Sequence, residues 1–327
     1  MTNILLLAVL LLASPTLAQN ADRFADGPVR SPDLPIVLVV PFPEGGSASR
    51  VSGIVSVALG SAMNRNVAMR HITTGTGVDA LTQVVVLAPD EIRLGYATNT
   101  QIVPGILLTR SAAAFNPIED FDWIGVIGTF GNALVVGPRD AARTFDQWLA
   151  DLPARGRTIR LGAGASGSMS MLAAQLLAQK LALPVEIVAV SAADAGYAAL
   201  GKGEIDAYFD GLPNALEETP RLKGRILAVT SKDRAPSQPT IPSFGEHWEG
   251  EDYAQFAALV VSRKETEAIR ARLKSGWYGV NRAGMAKAEL EKLGMKYLGL
   301  DLETAQAFME AEFLRHAKLL GRFSRTP

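Results

Sequence analysis

The sequence predicts an α/β protein of about two domains, and three observations carry this. Short β-branched runs alternate with helical stretches from about residue 36 to 230. Breaks rich in Gly, Ser and Pro separate them. The 327 residues amount to about two units at roughly 150 residues each. Such alternation favours parallel sheets with helices on both faces, and ligands where loops leave the carboxyl ends of the strands.

The elements follow in order. Ile36-Val37-Leu38-Val39-Val40 has no polar position, as in a strand buried on both faces. Pro41 to Ser47 breaks it, and a helix is expected from about Ser49 to Met63. Val67 to Ile72 reads as a strand, Val78 to Leu87 as a helix and Ile92 to Ala97 as a third strand. Trp123 to Val136 is apolar, with Ala133 to Val136 strand-like, and Phe145 to Leu149 begins a helix. Thr158 to Leu161, Val185 to Val190, Ile205 to Phe209 and Ile226 to Thr230 are further strands. Ser170 to Leu181 is a helix between the first two of these. Ser231 to Glu249 holds Pro236, Pro239 and Pro242 and is expected to be irregular. The rest is largely helical: Asp301 is placed to cap a helix, and Ala305, Met309, Phe313 and Leu320 recur at helix spacing, widened by Phe308 and Leu319.

Composition excludes several functions. Lys plus Arg is 32 and Asp plus Glu is 33, a net charge of −1 and no basic excess for nucleic acid. With no cysteine there is no disulfide, thiolate metal site or thiol catalysis. The three histidines, His71, His247 and His316, are far apart, which argues against a metal centre; His71 at a strand end and His316 on the terminal helix read as structural or surface groups. The four tryptophans are too scattered for a stacking platform and read as packing. No G-x-S-x-G elbow and no base near a serine nucleophile supports hydrolysis, so no catalytic residue, cofactor or metal is assigned.

Ile4 to Ala13 is an unbroken apolar run, too short to span a bilayer, which takes about 20 residues as helix. It reads as the core of a secretory signal, with Thr16 and Ala18 as the small residues before a cut, although Met1-Thr2-Asn3 has no Lys or Arg. Cleavage after Ala18 leaves 309 residues (327 − 18), expected to be soluble and exported.

Three loops are candidate ligand sites. In Pro41 to Ser49, Gly45 and Gly46 permit close backbone approach, and Ser47 and Ser49 are placed to cap the following helix, whose N-terminus attracts anions. Gly162 to Ser168 spells G-x-G-x-x-G between a strand and a helix. A dinucleotide site also needs an acid at the end of the next strand, and that strand ends in Val190-Ser191. What remains is a Gly/Ser helix start suited to a carboxylate or phosphate. The third loop, Tyr208-Phe209-Asp210-Gly211-Leu212, places an acid at a strand end, where it either accepts hydrogen bonds from a ligand or caps the next turn.

These segments resemble the substrate-binding proteins of tripartite tricarboxylate transporters, the Bug family, from about Leu34 to Arg322. The first strand with Pro41-Phe42-Pro43-Glu44-Gly45-Gly46 is similar to the family's Pro-Phe-Pro-x-Gly-Gly loop. Ala88-Pro89-Asp90, Phe115 to Phe121, Leu161 to Leu172, Phe209 to Pro213, Leu227 to Thr230 and Pro239 to Pro242 also match. The resemblance implies a two-lobed type II periplasmic-binding-protein fold with the ligand in the cleft. The implied boundaries are a signal peptide at 1–18, a first lobe of 19–128 plus 231–327, and a second lobe of 129–230. It implies a small carboxylate ligand held by backbone N–H groups, hydroxyls and waters, and membrane permease subunits as partners. A monomer is the default for such a receptor. Carried over by position, the ligand set is Phe42, Gly45, Gly46, Ser47, Ser49, Thr98, Asn99, Ser166, Gly167, Ser168 and Asp210.

The chain departs from the family pattern at several points. Ser49 stands where many relatives have Asp, Glu44 where Pro is common and Met171 where His is common. Val78-Asp79-Ala80 replaces Asn-Ile-Gly. Ser191 to Tyr197 replaces a Pro-Tyr-Lys-Gly segment and is about two residues shorter, so one cleft wall is expected to be rebuilt. The alternative role is an extracytoplasmic sensor partner of a membrane signalling protein, without transport.

Overall fold

The computed structural model describes residues 30–74, 77–102, 115–164 and 166–323, without the side chains of residues 285, 302, 320, 322 and 323. The signal reading of 1–18 and the placement of the Leu320 side chain lie outside this description.

Two sheets form two lobes. The first contains β1 (Ile36–Val40), β2 (Val67–His71), β3 (Ile92–Thr98), β4 (Phe121–Phe130), β10 (Gln255–Ser262) and β11 (Lys296–Leu300), in the order β11-β4-β10-β3-β1-β2. The second contains β5 (Asn132–Val136), β6 (Ile159–Ala163), β7 (Val185–Ala189), β8 (Ala207–Gly211) and β9 (Arg225–Val229), in the order β7-β6-β8-β5-β9. The strand β1 is buried along its whole length, as its composition predicts. Ile36, Leu38 and Val40 enter one core and Val37 and Val39 the core on the opposite face. Each such side chain contributes about 1.5–3 kcal/mol by leaving water.

The sheets are mixed rather than parallel. β1 pairs in parallel with β2 and β3, and β6 with β7 and β8. β10 runs antiparallel between β3 and β4, and β5 antiparallel between β8 and β9. Both inserted strands begin where the chain arrives from the other lobe. A chain entering at the carboxyl ends of the parallel strands must run against them.

The apolar run Trp123 to Val136 therefore belongs to two strands in two lobes, β4 and β5, parted at Gly131. A Cβ at Gly131 would lie 3.0 Å from the backbone nitrogen of Ser231, because the second crossing passes beside the first. The two crossings are bonded: Asn132 N donates to Thr230 Oγ1 at 2.9 Å, and Thr230 N donates to the Asn132 carbonyl at 2.8 Å. The expected lobe boundary at residue 230 falls short, since Phe244 and Tyr253 pack in the second lobe's core with Phe145 and Phe209. The stretch after Ser231 is mostly irregular, as expected, but holds one turn of helix closed by the Ser243 and Glu246 capping box.

The helices that matter for the site are α1 (Ser47–Met63), α2 (Val78–Val85), a single turn α3 (Asn99–Ile102), α4 (Phe145–Asp151), α5 (Met169–Leu181), α6 (Ala193–Lys202) and α7 (Leu212–Leu222). After them come the turn α8 (Phe244–His247), α9 (Glu267–Ala283), α10 (Met285–Lys292) and the terminal helix α11 (Leu302–Phe323). Asp301 caps α11, accepting from Thr304 N at 3.2 Å. Ala305 and Met309 are buried there, with Phe308 and Phe313 packed against them. Trp123, Trp148 and Trp277 are among the largest fully buried side chains, and Trp248 packs on Phe244.

Candidate functional site

The loops at the carboxyl ends of β1, β3, β6, β7 and β8 open on one cleft of about 600 Å³ between the lobes. Of the residues assigned from sequence, Phe42, Gly45, Gly46, Ser47, Thr98, Ser166, Ser168 and Asp210 line it. Ser49, Asn99 and Gly167 do not line it.

Gly46 is the N-cap of α1, and no side chain caps it. The expected capping by Ser47 and Ser49 is thus not found. The helix starts at Ser47, inside the position where a cap sits, and Ser49 merely accepts from Ser52 Oγ at its carbonyl, at 3.2 Å. The first amides of α1 are left for another partner. Gly45 has φ +85°, a conformation that favours glycine, and a Cβ on Gly45 or Gly46 would meet nothing within 4 Å. Open space therefore lies over the loop.

Ser47 instead reaches the second lobe. Its hydroxyl donates to the Gly211 carbonyl at 3.1 Å and accepts from Asn214 N at 3.1 Å. One turn on, Arg50 donates to Asn214 Oδ1 at 3.1 Å and pairs with Glu217 and with Glu218, the latter at 3.2 Å. Arg221 binds the same two glutamates. These contacts hold α1 against α7 and close one side of the cleft.

Ser168 caps α5, accepting from Met171 N at 3.2 Å, and lies 3.0 Å from Ser170 Oγ. Its oxygen serves the helix and its hydroxyl proton can turn to Ser170 or into the cleft. Removal of this hydroxyl by Ser168→Ala is expected to weaken ligand binding about tenfold or more and to destabilise the fold by about 0.5–2 kcal/mol through the lost cap. Calorimetric titration and denaturant unfolding of the variant read the two effects separately.

Asp210 forms part of the second lobe's wall. Its carboxylate accepts from Gly211 N at 2.8 Å, Tyr197 Oη at 3.0 Å and Asn214 Nδ2 at 2.6 Å. One acceptor position is left for a ligand. Burial pushes this carboxyl up to about 6, against the pull of Asn214, Tyr197 and Gly211. Burial and the Asp210 charge together raise the Tyr197 phenol, so it stays a donor.

Thr98 donates to Gln101 Oε1 at 2.8 Å at the cleft's edge. Asn99 faces away and is fully buried. Its Oδ1 accepts from Phe256 N at 2.6 Å, and its Nδ2 lies 2.5 Å from His316 Nε2. It ties the terminal helix to the first sheet. His316 also bonds the Glu312 carbonyl at 2.7 Å. His71 bonds the Phe42 carbonyl at 2.7 Å, which steadies the first loop from behind.

Sequence reading missed Tyr96, Asn132, Asn214 and Gln255, all of which line the cleft. The first two were signalled. Tyr96 lies two residues before Thr98 in a strand and so shares its face, and Asn132 is an amide inside an otherwise apolar run. Ser191, Ala192, Ala193 and Asp194, from the segment that departs from the family pattern, form another part of the lining. No group of three or more His, Cys, Asp or Glu residues suited to a metal occurs among the described residues.

Residues 57–323 match the family model described as the tripartite tricarboxylate transporter family receptor. The chain belongs to this family. It is a family of receptors that bind substrate, not of enzymes. A relative from Agrobacterium vitis, described as a UPF0065 protein in the TAR-I ttuE-ttuC' intergenic region, is 25% identical over 327 residues, covering 96% of this chain and 90% of its own. Bordetella pertussis BugT is 22% identical, covering 66% of each. Among solved structures, the periplasmic binding protein BugD superposes with a TM-score of 0.75 at 19% identity, covering 89% of this chain and 98% of its own. MatC from Rhodopseudomonas palustris, solved with malate, gives 0.73 at 19% identity and covers 88% of this chain and 99% of its own. These likenesses establish the two-lobed fold.

Proposed function

We propose that this receptor is exported to the periplasm, captures a small carboxylate in the cleft and hands it to the membrane permease of a tripartite transporter. The observation that carries the reading is the first loop. The uncapped N-terminus of α1, with Gly45 and Gly46 open to space, supplies backbone amides and a positive dipole end to an anion. The fold-mates solved with malate and with adipate, the latter also from R. palustris, are consistent with a carboxylate in this place. The ligand set is Phe42, Gly45, Gly46, Ser47, Thr98, Ser166, Ser168 and Asp210, which share the lining. No described helix is long and apolar enough to cross a membrane.

A thermal-shift screen of small carboxylates, amino acids and sugars tests the reading. A ligand at 100 times its Kd adds about 2.7 kcal/mol, which raises Tm by about 2–4 °C for a chain of this length. Shifts confined to compounds with a carboxylate are the expected result. Shifts with sugars alone would overturn it.

A further inference from the structure

The charges lining the cleft do not suit a polyanion. Arg50 and Arg221 are its two cations among the described residues, and both are consumed by Glu217 and Glu218. Those four side chains form a network that is neutral as a whole. Glu44, Asp194 and Asp210 remain on the lining, and none has a cationic partner among the described residues. A ligand with two or three carboxylates would meet three like charges with no free cation in compensation. In a partly desolvated cleft, each such pair repels more strongly than in water.

The polar groups give the complementary half. Tyr96 Oη and Asn132 Nδ2 are buried and lack a hydrogen-bond partner among the described residues. Tyr96 is 0% and Asn132 1% exposed, and both line the cleft. Asn132 is oriented by Gln255 Nε2, which donates to its Oδ1 at 2.7 Å and leaves the amide hydrogens facing elsewhere. A buried donor without a partner costs about 1–3 kcal/mol, and an acceptor on a ligand would relieve that cost. Burial holds the Tyr96 phenol well above its ordinary pKa, so it donates. The uncapped start of α1 opens on the same space.

We propose that the cleft takes a zwitterion: its carboxylate is received by Tyr96 Oη, Asn132 Nδ2 and the first amides of α1, and its ammonium group is balanced by the acids of the same lining that lack a cationic partner, Glu44, Asp194 and Asp210. This rests on the carboxylate-capture reading and narrows it. Dianions and trianions are selected against by the surplus acids, and the amine is what separates the true ligand from a plain monocarboxylate.

Two matched series test it by isothermal calorimetry on the purified protein: butyrate, 4-aminobutyrate and succinate, then hexanoate, 6-aminohexanoate and adipate. In at least one series the amino acid should bind about tenfold or more tighter than the dianion of its length, with the monocarboxylate between. The double variant Glu44→Gln, Asp194→Asn should narrow that gap. Tyr96→Phe should weaken the amino acid and the monocarboxylate alike by about tenfold. It should leave the Tm of the empty protein equal or higher, because it deletes an unpaired buried hydroxyl; a purely structural tyrosine would lower it. A dianion that binds as tightly as the amino acid overturns the zwitterion and leaves carboxylate capture standing. Silence from all six compounds overturns both.

Discussion

Replacing Gly211 by alanine is expected to weaken ligand binding by about five- to a hundredfold while leaving each lobe folded. Gly211 ends β8 in the second lobe, and Ser47 opens α1 in the first. A Cβ on Gly211 would collide with Ser47 Oγ and lie 2.9 Å from Ser47 Cβ. The serine Oγ can rotate away, but its Cβ is fixed by the helix, so the lobes must part. Overpacking of this kind costs about 1–3 kcal/mol, and here the cost falls on the arrangement in which Ser47 meets Gly211 across the cleft. A ligand that contacts both lobes in that arrangement loses affinity in proportion to its population. The core of each lobe is separate and stays intact, so the Tm of the empty protein should move by no more than about 2 °C. Calorimetry with the best ligand and scattering of the empty protein check this. Unchanged affinity, or a large fall in Tm without one, would sink the wedge argument.

The second large effect is on acid stability, where a buried histidine and a half-buried carboxyl oppose each other. His316 is 0% exposed. Burial, helped by the Arg315 charge, pushes it down to about 4 from an ordinary 6.5. Between those values the unfolded chain binds a proton that the folded chain refuses, so stability falls as pH drops through the window. The loss approaches about 3 kcal/mol below pH 4 and is about 2 kcal/mol by pH 5. Asp210 acts in the other direction. Its carboxyl, raised to about 6 from 3.8, takes up a proton in the folded state first. The cost it imposes at neutral pH is regained as pH falls through 6 toward 3.8. Because it is partly exposed to the cleft, about 1 kcal/mol by pH 5 is an upper figure.

The native protein should therefore show a shallow acid limb between pH 7 and pH 5 from this pair. His316→Gln should flatten or invert it, and Asp210→Asn should steepen it by about 1 kcal/mol. Urea unfolding at pH 7, 6 and 5 measures all three. Equal slopes in the native protein and both variants would show that neither group carries the predicted proton linkage.

Legibility varied with how local each feature is. The strand at Ile36 to Val40 and the loop after it were readable because residue type alone dictates them. Asp301 was readable as a cap for the same reason. Trp123 to Val136 was readable as apolar, but its division between two lobes at Gly131 was not, since either side of that glycine is equally strand-forming. Asn99 follows Thr98 directly and was grouped with it, yet it turns inward to His316, a partner 217 residues away. Tyr96 and Asn132 carry a signal in their neighbours, but a weak one, because an aromatic or an amide in a buried strand is more often packing than recognition.

By itself, the sequence determined the order of strands and helices, the Gly/Ser breaks between them and the family. Backbone preference, side-chain burial pattern and turn chemistry act over a few residues, and their signature survives in the linear chain. Only the tertiary structure decided which side chains share the cleft, that Ser47 and Arg50 reach across to the other lobe, and that the cleft's two arginines are already spent on glutamates. Arg221 meets Glu217 and Glu218 within one turn of its own helix, but the Ser47 and Arg50 contacts pair residues more than 160 positions apart, and chain spacing carries no record of such distances until the lobes are folded against each other.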